Sequence, residues 1–178
     1  MARILTDTEI AALLAEVKRL PGSWQNRLNP KPKAGQAHRR RSLRVKGAEG
    51  NEFCVHVRDN PNLLSDFSII LTYFDADGQE YTLVRFNGKH PSDHTNKWEK
   101  RFKKPPIRFR NAFHIHKATE RYQIEPDCQI DGYAEETNLY YSFESALRAF
   151  VTSNGFQIEQ DLANGQMHLP FCADNGET

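Results

Sequence analysis

Three cysteines in 178 residues, an odd number set far apart at Cys54, Cys128 and Cys172, exclude a disulfide framework, and no C-x-x-C pair offers a thiolate zinc site. No apolar run approaches the roughly 20 residues that cross a bilayer as a helix, so the chain is expected to have no membrane span. The opening stretch MARILTDTEIAALLAEVKRL lacks the basic start, apolar centre and small-residue cleavage site of a secretory signal, and a cytoplasmic location is expected. Internal repeats and low-complexity segments are also missing. The 178 residues are expected to form one domain, 1–178, with its own core.

Acids are absent from SWQNRLNPKPKAGQAHRRRSLRVKG, which carries Arg27, Lys31, Lys33, Arg39, Arg40, Arg41, Arg44 and Lys46. Prolines and small residues oppose regular structure before about His38, so a mobile basic loop over about 22–38 is expected to run into a strand. The net charge of +1 hides a segregation: residues 1–118 hold 22 Lys+Arg against 12 Asp+Glu, and residues 119–178 hold 2 against 11. The first part can attract polyanions unless the second neutralises it across the fold.

Thr6 and Glu9 form a capping box, and Ile10, Leu13, Leu14, Val17 and Leu20 follow at helical spacing until Pro21-Gly22. FCVHVRD alternates as a strand, and FSIILTYFDADGQEYTLVRFNG reads as a hairpin turning at Asp75 to Gly78. Lys89 to Arg110 is a long polar connection with no evident structure. NAFHIHK is again a strand. Ser142 caps a helix whose apolar side is Phe143, Ala146, Leu147, Phe150 and Val151, and the tail after about Gln166 is expected to be loose. The pattern predicts an α+β fold: a mostly antiparallel sheet of four to five strands with an N-terminal and a C-terminal helix on one face.

Two histidines one residue apart on a strand, His114 and His116, project to the same side, with Phe113 and Ile115 on the other. His90 and His94 lie in the loop after an earlier strand. Imidazoles near their titration midpoint suit metal-free acid/base cleavage of an RNA phosphodiester, one removing the 2′-hydroxyl proton and one protonating the leaving oxygen. His90 and His114 are the expected acid and base in unassigned order, with His116 beside them. Arg85 and Lys89 would stabilise charge, and Tyr122 would position or donate. Arg39, Arg40, Arg41, Arg44 and Lys46, with Lys103, Lys104, Arg108 and Arg110 among Trp98, Phe102 and Phe109, match a nucleic-acid footprint. The same histidines admit a metal reading, since HIHKATE has the form H-x-H-x-x-x-E of a cupin ligand motif and would use His114, His116 and Glu120. The glycines and later histidine of that motif are not in place, so no cofactor is expected.

YTLVRFNGKHP and FHIHKATERYQ together resemble the pattern of the TumE-type toxins of bacterial toxin–antitoxin modules and a related set of uncharacterised bacterial proteins. The resemblance spans about Phe67 to Tyr122 and carries over Arg85, Asn87, His90, His114 and His116. It implies a small toxin acting on RNA and held in check by an antitoxin protein. The expected function is therefore a metal-independent endoribonuclease toxin. A non-catalytic nucleic-acid- or protein-binding module, then a metal-dependent cupin-like enzyme, are the alternatives.

Overall fold

The structure is a computed structural model that describes residues 3–28, 38–90 and 93–159. In chain order its elements are α1 (Asp7–Ala15), β1 (Lys18–Leu20), α2 (Trp24–Leu28), β2 (Arg39–Lys46), β3 (Glu52–Asp59), β4 (Phe67–Phe74), β5 (Glu80–Asn87), β6 (Asp93–Thr95), α3 (Lys97–Phe102), β7 (Arg108–Arg110), β8 (His114–Lys117), α4 (Glu120–Ile124), β9 (Tyr133–Glu136), α5 (Phe143–Ser153) and β10 (Phe156–Ile158). The fold is α+β. Six strands pair antiparallel in the order β2-β3-β4-β5-β8-β9, and the two short pairs β1-β10 and β6-β7 stand apart from that sheet.

Alternation, interrupted by one bulge in the β4–β5 pairing, gives the sheet two unlike faces. Phe53, Val55 and Val57 of β3 join Ile69 and Leu71 of β4, Phe86 of β5 and Ile115 of β8 in one apolar cluster. Ile10 and Leu13 of α1 and Ala146 and Phe150 of α5 belong to the same cluster, so the two terminal helices cover that face as the pattern predicted. Each large side chain buried there contributes about 1.5–3 kcal/mol through the water it sheds. The opposite face is polar. Register places Arg40, Arg58, Ser68, Asn87 and His114 in one row across the strands, and Ser42, His56, Ile70, Arg85 and His116 in the next.

Local signals explain the turns and caps. Thr6 and Glu9 close the capping box of α1, and Ser142 with Ser145 does the same for α5. The β4–β5 hairpin turns where Asp75 accepts from the Asp77 and Gln79 amides, with Gly78 at φ 78°.

Three expectations need correction. The first helix does not run to Pro21-Gly22. It stops at Ala15, because the Lys18 ammonium takes the carbonyls of Leu13, Leu14 and Glu16 at 2.7, 3.1 and 2.8 Å and the chain then pairs, parallel, with β10. Residues 24–28 of the stretch expected to be loop form α2, which buries Trp24 and Leu28 in the core; residues 29–37 lie outside the described residues, as does the tail after Gln166. The connection from Lys89 to Arg110 is structured, holding β6, α3 and β7. Its ordering comes from aromatic and amide contacts to the sheet, which a polar sequence does not advertise. Among the described residues no helix is long and apolar enough to cross a membrane.

Candidate functional site: a histidine cluster under a covering hairpin

β5 and β8 pair with Asn87 opposite His114 and Arg85 opposite His116, so four functional side chains share the polar face at the end of the sheet. The β6–β7 hairpin lies over them. His94 of β6 packs its ring against His116 at 4.7 Å and against His114 at 5.9 Å between centroids, and Phe109 of β7 closes on His114 at 5.0 Å. His90, at the exit of β5, meets His114 edge-on at 5.1 Å. The two loop histidines and the two strand histidines do converge. They do not sit on an open face, for His114 is 1% exposed and His116 6%.

Hydrogen bonds fix the tautomers. His114 donates Nδ1–H to the Ala112 carbonyl at 2.8 Å, so its Nε2 carries the lone pair and accepts from the Asn87 amide at 3.2 Å. His116 donates Nδ1–H to the Asp131 carbonyl at 2.9 Å. The Asp131 carboxylate holds Arg85 at 2.6 Å, which makes one loop residue the anchor of both. His94 meets the Asn96 side-chain oxygen through Nε2 at 2.8 Å, and Asn96 also bonds Ala134 of β9 in both directions, so it ties the hairpin to the sheet.

Burial makes these imidazoles poor proton acceptors. It pushes His114 down to about 4, with the nearby His90 and His94 lowering it further, and it pushes His116 down to about 2, with the Arg85 cation adding to the effect. His94 is lowered by burial too, opposed by its bond to Asn96. His114 and His116 are neutral at pH 7 and cannot serve as proton donors. His90 and His94, whose rings both meet that of His114, are half-buried rather than enclosed. The Asn87 side-chain oxygen is buried without a hydrogen-bond partner among the described residues.

Of the other expected catalytic residues, Tyr122 lies apart from the histidines and Lys89 adjoins them in the chain through His90. Tyr122 is buried with its hydroxyl donating to Glu99 at 2.6 Å, a buried carboxylate that also holds Arg121 at 2.5 Å. That group joins α3 to α4, and burial beside Glu99 pushes the phenol up. Lys89 lies over the Phe113 ring, its nitrogen 5.0 Å from the centroid. Glu120 accepts from the Asp7 amide at the start of α1 and so faces that helix rather than the histidine pair expected to share a metal with it. Among the described residues no group of three His, Cys, Asp or Glu side chains is arranged to hold a metal ion.

The basic residues divide. Arg39 pairs with Asp59, Arg44 with Glu52 while stacking on Phe74, and Arg108 and Arg110 share Asp93. Lys104 lies over Trp98. Arg41 has its Nε buried with no partner, whereas Arg40, Lys46 and Lys103 are exposed with no carboxylate within reach among the described residues. Arg85–Asp131, Arg101–Glu125 and Lys117–Glu135 join the basic part of the chain to the acidic part and offset about a third of the segregated charge. The β2 arginines stand four strand spacings from β8, about 19 Å at roughly 4.8 Å each.

A cavity of about 330 Å³ is lined by Leu63, Ser65, Lys89, Arg110 and Asn111, with Lys89 next to His90 in the chain. Gly88, between Asn87 and Lys89, lies close against the Ser65 backbone. Its amide donates to the Phe67 carbonyl at 2.9 Å, and a Cβ there would overlap the Ser65 carbonyl oxygen and press on the Phe67 ring. Because backbone cannot swing aside as a side chain does, Gly88→Ala is expected to cost about 2–3 kcal/mol of stability, read by chemical denaturation; a loss below about 0.5 kcal/mol would show that the β5 exit is not held against Ser65.

Asn96 and Asp131 complete the cluster without having been singled out, whereas His94 stood among the four histidines and Phe109 among the aromatics of the second basic stretch. The HPSDH spacing was a signal for His94. Asp131 had none, since it reaches Arg85 from 46 residues away. Comparison with family models, with curated proteins and with solved structures gave no match.

Proposed function

We propose that the chain is an RNA-cleaving toxin of a bacterial toxin–antitoxin module, working by histidine proton transfer without a metal. The observation that supports this best is the contact of both His90 and His94 with a buried, neutral His114, with Lys89, the residue before His90, lining a cavity that Arg110 also lines. His90 and His94, in unassigned order, supply the base and the acid. One takes the 2′-hydroxyl proton as that oxygen attacks phosphorus; the other protonates the departing 5′-oxygen, leaving a 2′,3′-cyclic phosphate and a 5′-hydroxyl. Asn87 is the residue whose unpaired oxygen suits a ribose hydroxyl. Arg85, oriented by Asp131, opposes the charge that builds on phosphorus. His114 and His116 are positioning residues. In the cell an antitoxin protein would cover this site.

Purified parent protein is expected to cut single-stranded RNA between pH 5 and 8 to products with cyclic phosphate ends. His90→Gln and His94→Gln should each lose about 100-fold or more in rate while keeping the parent's circular dichroism. RNA left whole by folded parent protein across that pH range would sink the reading.

A second reading, a nucleic-acid-binding module without catalysis, is favoured by one observation: both ring nitrogens of His114 are satisfied inside the protein. Under it the histidine variants bind RNA as the parent does and no form cuts it.

A further inference from the structure

We infer that the cavity lined by Leu63, Ser65, Lys89, Arg110 and Asn111 is a nucleotide subsite, seating the phosphate and nucleoside next to the scissile linkage of an RNA strand. The inference rests on the RNA reading for its ligand and on the cavity's own construction for its place. One wall, Lys89, is the neighbour of His90; the other, Arg110 and Asn111, leads directly into Ala112, whose carbonyl fixes His114. Lys89 and Arg110 thus border the cavity one residue from His90 and from Phe109, both of which meet His114.

The lining chemistry suits an anion. Two cations line the space, and among the described residues no carboxylate does. Arg110 is steadied through its Nε by Asp93 at 3.3 Å, a geometry that leaves its terminal nitrogens to serve a planar oxyanion. Lys89 has an aromatic rest rather than a carboxylate, so its full charge is available. Asn111 and Ser65 add polar groups that can bond either phosphate or sugar, and Asn111 is turned outward by a left-handed backbone, φ 49°. Leu63 is 44% exposed, an apolar surface for a base. The volume, about 330 Å³, exceeds what a bare phosphate fills and matches a mononucleotide.

Calorimetric titration of the full chain with the four nucleoside 3′-monophosphates, inorganic phosphate and the matching nucleosides tests this. The parent should bind at least one monophosphate about tenfold tighter than either phosphate or nucleoside alone. Lys89→Gln and Arg110→Gln should each weaken it about tenfold, and Leu63→Asp should weaken the nucleotide but leave inorganic phosphate unchanged. No binding by the parent, or binding that both cation variants leave intact, overturns the subsite. Phosphate binding as tightly as the nucleotide also overturns it, leaving only a surface anion contact. RNA cleavage is scored separately. A parent that binds the nucleotide here but leaves RNA whole keeps the subsite and removes the ribonuclease; a parent that cuts RNA with KM unchanged in both cation variants does the reverse.

Discussion

Replacing Lys18 with methionine is expected to remove about 3–5 kcal/mol from the stability of the protein, the range set by breaking a buried, fully bonded charge. Lys18 is completely buried, and its ammonium bonds four carbonyl oxygens, those of Leu13, Leu14, Glu16 and Asn154. Phe53 lies beneath it at 4.6 Å and Phe156 at 5.8 Å. Three of the carbonyls are the orphan acceptors at the end of α1, and the fourth caps α5, so one cation closes two helices that cover the core. Burial pulls the ammonium down to about 8, which still leaves it protonated at pH 7. Methionine fills similar volume but returns four buried acceptors without donors. Chemical denaturation of parent and Lys18→Met at pH 7 measures the difference; a variant within about 1 kcal/mol of the parent would show that the helix ends find other partners.

Lys18 also illustrates what a sequence withholds. Its position in EVKRL fits an amphipathic helix continuing to Leu20, because Val17 and Leu20 keep the period. The helix ends because Lys18 turns inward, and that depends in part on the Asn154 carbonyl, 136 residues further along the chain, being brought to it. The strands were legible, since alternation of apolar and polar residues is a local signal that the register of β3, β4 and β5 repeats. Their order was not, because β8 joins β5 across the hairpin, α3 and β7, and no local pattern encodes that adjacency.

The site divides along the same line. That His114 and His116 share one face follows from the strand period, and that Arg85 and Asn87 share it follows from theirs. That His114 and His116 are buried does not, for it requires His94 and Phe109 to fold back over them and Asn96 to latch the hairpin to Ala134. Exposure is what decided the chemistry. The same two histidines on a bare sheet would titrate near pH 6.5 and could carry protons; under the hairpin they are held neutral and can only position. Under the proposed ribonuclease reading, proton transfer therefore falls to His90 and His94.

That neutrality has a cost that acid exposes. Stability is expected to be full above pH 6.5 and to fall as pH drops below it, by roughly 4 kcal/mol at pH 5 if His114 and His116 act independently. In the unfolded chain each imidazole takes up a proton near 6.5, whereas the folded protein withholds protonation until about 4 at His114 and about 2 at His116. Between those values the unfolded state binds more protons, so falling pH favours it. His56 and His94, both lowered by burial, act in the same sense. Carboxylates held below their usual range, such as Asp66 beside His38 and Glu135 beside Lys117, contribute only at lower pH, which leaves the interval from 6.5 to 5 to the histidines. Denaturation midpoints measured at half-unit steps from pH 7 to 5 should decline for the parent. They should decline less steeply for His116→Gln, even where that variant is weaker at pH 7, because the slope reports titration and the intercept reports packing. A parent whose stability stays flat from pH 7 to 5 would mean that the imidazoles admit protons while folded, and His114 would then return as a candidate for the proton transfer now given to His90 and His94.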